Sequence, residues 1–421
     1  MAHIGVMCPN VPGHLNPMIA LADALRSRGH RLTFFLLGDP PAPVLAAGLE
    51  VIQMGGAVFP PDDYRAAFQR LGTLDGRAAL KHTLAVGARG TEAILQVGPA
   101  LVRKAAVTAL LVDQTSFSGG TVADQLQLPF ATVCNALLLN PDPAVPPFFT
   151  SWQPSEGWWI RLRNRVAWAA LDRLYAVILT RIRAERRRLG LPAPRRIADT
   201  WSGRLQVSQQ PAALEFPRSE LPEHLEFVGP LRLPGGYPPV PFPWERLDGR
   251  PLIYASLGTL QNRVAGTFQI IAEACSGLDA QLVISTGNGV APEALGDLPG
   301  RPVVVPYAPQ LELLRRAALA VTHAGLNTVL DALSAGVPMV AIPVTNEQPG
   351  IAARIVWAGA GEAIALKRTT ADRLRTLISK VRQDHAYRSA AERIRDSMRT
   401  SGGAPRAAEI IERILVHSAS G

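Results

Sequence analysis

Apolar residues fall along the chain in short unbroken runs separated by amphipathic stretches. His3 to Met7 is one run, Pro17 to Arg28 an amphipathic stretch stopped by Gly29, and Leu32 to Leu37 the next run. Ala109 to Val112, a helix from Gly119 to Leu126 and Phe130 to Cys134 continue the rhythm. Unbroken runs mark strands buried on both faces, and their alternation with helices predicts a parallel sheet covered on both sides. Leu233 to Pro243, with five prolines and two glycines, cannot be regular structure. After it the pattern restarts with Leu252 to Ser256, a helix from Thr267 to Leu278, Gln281 to Ser285 and Val303 to Val305. A strand closing at Thr322, a helix opened by Gly325 and stopped at Gly336, and a strand from Val337 to Pro343 complete it. The expectation is an α/β chain of two doubly wound, Rossmann-like domains, 1–232 and 246–403, joined by a Pro/Gly-rich linker, 233–245, and closed by a helix, 404–421. Phe59 to Thr91 and Ser151 to Leu189 are helical or irregular insertions placed to shape a pocket.

Composition narrows the class. The chain has 421 residues, 48% hydrophobic and 18% charged, enough for two globular cores. No apolar run is long enough to span a bilayer, and Met1-Ala-His-Ile-Gly-Val6 reads as a strand start rather than a signal peptide. Cys8, Cys134 and Cys275 are far apart, lack metal spacing and are odd in number, which points to a reducing cytoplasm. The net charge of +9 fits nucleic acid, an anionic membrane surface or an acidic ligand. Twelve arginines against four acids lie between Ser151 and Arg204, interleaved with Trp152, Trp158, Trp159 and Trp168. No nucleic-acid module accompanies them. Two readings remain: a membrane-interface surface, or a solvated helix face with its tryptophans packed inward.

The segment Val321 to Asp331 carries candidate chemistry. A strand feeding a helix through a glycine turn leaves first-turn N–H groups unpaired at the positive end of the helix dipole, which is an anion site. His323 can donate to a phosphate oxygen, Thr328 adds a hydroxyl, and Asp331, one turn on, can accept from sugar hydroxyls. A plainer reading has Asn327 and Thr328 capping a helix and His323 idle in a loop. A second strand–helix junction at Asn346-Glu347-Gln348-Pro349 brings further polar groups to the same sheet edge. In the first half, His14 follows the first strand in a Pro-Gly turn and Asp113 ends another strand. Neutral imidazole is a competent base near pH 7, and a carboxylate can hold its tautomer and stabilise the imidazolium; alone, Asp113 could simply cap the next helix.

Tyr307-Ala-Pro-Gln310, His323-Ala-Gly-Leu-Asn-Thr328, Asp331, Gly336-Val-Pro338 and Glu347-Gln348 resemble the donor signature of family 1 UDP-dependent glycosyltransferases. Pro12-Gly-His14, Arg28-Gly-His30, Val112-Asp113, Val228-Gly-Pro230 and Ala255-Ser-Leu-Gly-Thr259 fall in that family's order. Tyr254 to Gln261, Asn327 to Ala332, Gln348 to Ile355 and Ala136 to Pro141 are most similar to its carotenoid (zeaxanthin) glucosyltransferase branch. The resemblance implies a GT-B fold and an inverting, metal-independent hexosyltransferase without a cofactor. It gives His14 the role of base and Asp113 that of its partner. It places the UDP-sugar on Ser256, Gly258, Thr259, Tyr307 (stacking on uracil), Gln310, His323, Gly325, Asn327, Thr328, Asp331, Glu347 and Gln348. Asn135, Trp158 and Trp159 are candidates for a lipophilic acceptor. The implied setting is cytoplasmic, with peripheral contact on the inner face of the membrane and no nucleic-acid partner. Ala324-Gly325-Leu326 replaces the family's Cys-Gly-Trp, and Glu347 stands where plant members often have Asp, so sugar identity stays open. A macrolide or polyphenol acceptor and a silent binding protein of the same fold are the alternatives. An epimerase lacks its carboxylates here, and a dinucleotide oxidoreductase is disfavoured because Cys8 to Gly13 is not Gly-x-Gly-x-x-Gly.

Overall fold

The computed structural model describes all residues except 72, 73, 75, 237, 238, 259–264, 288 and 417–421. Among the described residues, thirteen strands form two parallel sheets. The first comprises β1 (His3–Met7), β2 (Arg31–Leu37), β3 (Glu50–Met54), β4 (Ala109–Asp113), β5 (Phe130–Cys134), β6 (Gln206–Ser208) and β7 (Leu225–Phe227). The second comprises β8 (Leu252–Ser256), β9 (Gln281–Ser285), β10 (Val303–Val305), β11 (Ala317–Thr322), β12 (Met339–Ala341) and β13 (Gly361–Ala363). Their orders are β3-β2-β1-β4-β5-β6-β7 and β10-β9-β8-β11-β12-β13. Each order reverses at one place, between β1 and β4 in the first sheet and between β8 and β11 in the second. Crossover helices leave in opposite directions there, and a crevice opens beyond the strands' carboxyl ends.

The helix after β1 departs from the sequence expectation. It spans Pro12–Arg26, so His14 lies in its first turn rather than in a preceding loop, and Pro17 lies inside it. Pro12 is tolerated because a first-turn N–H has no intrahelical acceptor. Pro17 has no N–H to give to the Gly13 carbonyl four residues earlier.

The helix Gly403–Ile411 packs on Pro12–Arg26 and not on the second sheet. Ala404, Ala407, Ala408, Ile410 and Ile411 share a buried cluster with Leu21, Leu25 and Val228. Burying an isoleucine fully is worth about 1.5–3 kcal/mol, so this crossing is held by its apolar face. Glu412 adds an ion pair to Arg28 and lies 3.4 Å from His30 Nε2.

The helix Gln348–Trp357 is gripped from the first sheet's side. Gly350 abuts the Phe148 carbonyl so closely that a Cβ would collide with it. Gln153 Nε2 donates to the Ala353 carbonyl at 3.0 Å. Arg354, 1% exposed, donates to Glu215 Oε1 through Nη2 at 2.6 Å and lies over the Phe216 ring. The second Glu215 oxygen accepts from Gln210 at 2.9 Å. Burial alone would raise the Glu215 carboxyl, but Arg354 and Arg218 hold it below its ordinary value.

Candidate active site

Parallel strands deliver side chains to one edge, and here both edges face a single cleft of about 700 Å³. His14, Asn135 and Ala136 line one side. Tyr254, Ser256, Gly258, Tyr307, Gln310, His323, Gly325, Asn327, Thr328, Asp331, Glu347 and Gln348 line the other. Thr259 lies outside the described residues.

His14 Nδ1 is 2.7 Å from Asp113 Oδ2, with Asp113 fully buried and His14 partly open to the cleft. Asp113 is held from three further directions. Thr115 gives its backbone N–H and hydroxyl to Oδ1 at 2.8 and 2.6 Å, and Asn135 Nδ2 donates to Oδ2 at 2.8 Å. Burial opposes both charges. The mutual attraction outweighs it, raising the imidazole above the ordinary histidine value and lowering the carboxyl below the ordinary aspartate value. Asn135, expected on the acceptor, therefore serves Asp113 with its amide nitrogen. Thr115 was legible as an Asp-x-Thr turn but was missed.

Across the cleft, Gly325 caps the helix Leu326–Ser334 after β11, preceded by Ala324 at φ 66°. The His323 ring fills the space between Gly258 and Gly325, where a Cβ on either glycine would collide with its Nε2. Burial pushes this imidazole down to about 4, only partly offset by a hydrogen bond at the Ser256 backbone. At neutral pH it offers an N–H rather than a positive charge. Burial also raises the Glu347 carboxyl.

Several expected donor contacts are otherwise engaged in the protein. Asp331, buried, takes a hydrogen bond from Gln310 Nε2 at 2.6 Å and an ion pair from Arg232 at 2.5 Å. Gln348 Oε1 accepts the Val344 and Thr345 N–H groups at 2.8 and 3.0 Å, so its oxygen braces its own loop. Asn327 spans the cleft floor: its Nδ2 donates to the Gly13 carbonyl at 3.0 Å, and its Oδ1 accepts from Gln209 Nε2 at 2.9 Å. Gln209 and Arg232 gave no sequence signal.

Trp158 and Trp159 are not in the cleft. They begin the helix Trp158–Leu174, stacked on each other at 3.8 Å and 64% and 65% exposed. That helix turns Asn164 and Trp168 inward, Trp168 donating to the Val145 carbonyl at 3.0 Å. At 100° per residue this sends positions 158, 159, 162 and 166 outward. Trp168 thus packs inward as one reading required, and the two leading tryptophans do not. Arg163 lies over the Trp152 ring at 4.2 Å.

Residues 199–398 match the family model of UDP-glucoronosyl and UDP-glucosyl transferases. The chain is 33% identical to a zeaxanthin glucosyltransferase of Pseudescherichia vulneris, covering 100% of both chains. It is 32% identical to one of Pantoea ananas, covering 99% of this chain and 96% of that protein. Among solved structures, the glycotransferase of kitacinnamycin superposes with a TM-score of 0.77 at 25% identity, covering 98% of this chain and 99% of that one. The fold is GT-B, as the sequence resemblance implied.

Proposed function

As the chain belongs to the UDP-glucoronosyl and UDP-glucosyl transferase family, we propose that it moves glucose from UDP-glucose to a hydroxyl of a lipophilic acceptor, a hydroxylated carotenoid such as zeaxanthin. The His14–Asp113 pair facing the Gly258/Gly325 junction across one cleft carries this reading. With Nδ1–H donated to Asp113, Nε2 is the free base. It takes the acceptor proton as the oxygen attacks the anomeric carbon, and the bond from that carbon to the diphosphate breaks on the opposite side with its electron pair. Asp113 stabilises the imidazolium. The leaving diphosphate meets the N-terminus of Leu326–Ser334, the Thr328 hydroxyl and a His323 N–H, and an anion there raises the imidazole back toward its charged form. Among the described residues no group of three His, Cys, Asp or Glu is placed to hold a metal; these donors stabilise the leaving group. One displacement inverts the anomeric centre.

The acceptor reading rests on the names of the two full-length relatives. Likeness to the glycotransferase of kitacinnamycin supports a second reading, in which the acceptor is a macrolide or polyphenol aglycone. The deciding experiment incubates the protein with UDP-glucose, zeaxanthin in detergent, a macrolide and a polyphenol, with and without EDTA. Products are read by mass spectrometry and NMR. A β-linked carotenoid glucoside formed in chelator is expected. Glucosylation of the soluble aglycones alone moves the assignment to the second reading. An α-linkage, or loss of activity in EDTA restored by magnesium, defeats the mechanism.

A carotenoid is dissolved in the bilayer, so the enzyme must meet it at an interface. No helix among the described residues is long and apolar enough to cross a membrane. Trp158, Trp159, Leu162 and Val166 form one exposed stripe. Arg161, Arg165 and Arg173, which make no ion pair among the described residues, lie on or beside it. Tryptophan favours the headgroup region, and each arginine near an anionic surface contributes about 1 kcal/mol. Co-sedimentation with anionic liposomes is expected to fall as salt rises, and to fall further in Trp158→Ala/Trp159→Ala and Arg161→Ala/Arg165→Ala variants. Equal partitioning of wild type and both variants would reject this surface and leave the transferase reading standing.

A further inference from the structure

Six residues close a ring of hydrogen bonds through both domains. His14 meets Asp113; Asp113 accepts from the Asn135 side chain; the Asn135 carbonyl accepts from Gln209 Nε2 at 2.5 Å. The same Gln209 nitrogen donates to Asn327 Oδ1, and Asn327 Nδ2 donates to the carbonyl of Gly13, the residue before His14. The amide orientations are forced. A carbonyl can only accept, so Gly13 takes the Asn327 nitrogen, and the Asn327 oxygen is left for a donor. Gln209, 2% exposed, supplies that donor with both hydrogens of one amide nitrogen. The Gly13 carbonyl is available because Pro17, four residues on, has no N–H to give it. Beside the ring lies a void of about 10 Å³ lined in part by Pro17, Gln209 and Asn327, room for one water at most.

We infer that Gln209 is a positioning residue: through Asn327 it holds the base-bearing helix in register with the helix N-terminus that faces it. This rests on the transferase reading and adds to it. Asn327 sits one residue into the helix that Gly325 caps, so a shift of that N-terminus is transmitted to the turn that carries His14. The Gln209–Asn327 arm of the ring does not set the charge state of His14, which Asp113 governs. It sets distance and angle between the two halves of the reaction.

The test is kinetic. Gln209→Met keeps the length of the side chain and removes both donors. It is expected to lower kcat about ten- to a hundredfold, the cost of misplaced reacting groups. The KM for UDP-glucose and the affinity for UDP should stay within about twofold, and the midpoint of the pH–rate profile should not move. Pro17→Ala gives Gly13 a helical N–H that competes with Asn327. It should raise the unfolding temperature, since proline is costly within a helix, while lowering kcat; a purely structural tie would not move the two in opposite directions. Unchanged kcat in Gln209→Met overturns the inference, as does a raised KM with kcat intact. Should Gln209→Met not fold, unchanged kcat in Pro17→Ala overturns it. His14→Ala run in parallel separates the readings: if it stays active, the transferase mechanism itself has failed.

Discussion

Alanine at His14 is expected to abolish sugar transfer, by about 10²–10⁴-fold for the lost base, while UDP binds nearly as before. The selectivity follows from geometry: His14 comes from the first sheet, and the groups assigned to the nucleotide come from the second. Asp113→Asn keeps the shape and removes the charge. It is expected to slow turnover by about 100-fold or more, because the imidazolium loses its stabilising partner. The pH profile checks the same pair. The base works when neutral, so kcat/KM should rise with pH through a midpoint above the ordinary histidine value and then level off. In Asp113→Asn that midpoint should fall, since the larger attraction that raises it is gone, while burial, which lowers it, and the lesser attraction of Glu347 remain. Near-normal turnover in His14→Ala would sink the assignment.

The second large effect is on stability. Glu215→Leu leaves the Arg354 and Arg218 guanidinium groups buried without their carboxylate and is expected to cost about 3–5 kcal/mol in urea unfolding, the range for breaking one side of a buried pair. Arg354→Met leaves Glu215 with Arg218 alone and should cost less. The double variant should lose less than the sum, because Arg354 is then removed together with its partner and only Arg218 is left without the carboxylate. Glu215 titrates below its ordinary value in the folded protein, so its contribution is complete above the unfolded carboxyl value and is lost as pH falls through the depressed folded one. The gap between wild type and double variant should therefore narrow in acid. A Glu215→Leu protein unfolding within about 1 kcal/mol of wild type, the size of a surface ion pair, would show the pair to be incidental.

What the sequence disclosed follows from the same physics. Strands buried on both faces, such as Leu252–Ser256, must be unbroken apolar runs, and their ends name the residues at the sheet edge. His14, Asp113, Ser256 and His323 were legible for that reason. The three-residue β6 and β7 carry Gln206, Ser208 and Glu226 and show no such run. The amphipathic pattern of the first helix is clear only from Pro17, whereas the helix starts at Pro12, where proline suits a first turn. Gln209, Arg232 and Arg354 act on partners more than a hundred residues away or near it, and no local spacing encodes such a pairing. The outward turn of Trp158 and Trp159 depends on where their helix meets the core, which composition does not contain.

The return of the helix Gly403–Ile411 onto Pro12–Arg26 has a consequence for how the chain is made. Roughly 175 residues separate the end of β7 from Gly403. At ~5–20 residues per second, the ribosome needs about 10–35 s to deliver them. Through that interval the first seven strands exist while Leu21, Leu25 and their neighbours lack the apolar cover of Ile410 and Ile411. The helix bearing His14 receives this packing partner only after the second sheet has been made. A nascent first domain is thus exposed to chaperones and proteases longer than its own length would require, and a chain cut short before Gly403 loses part of the first domain's core.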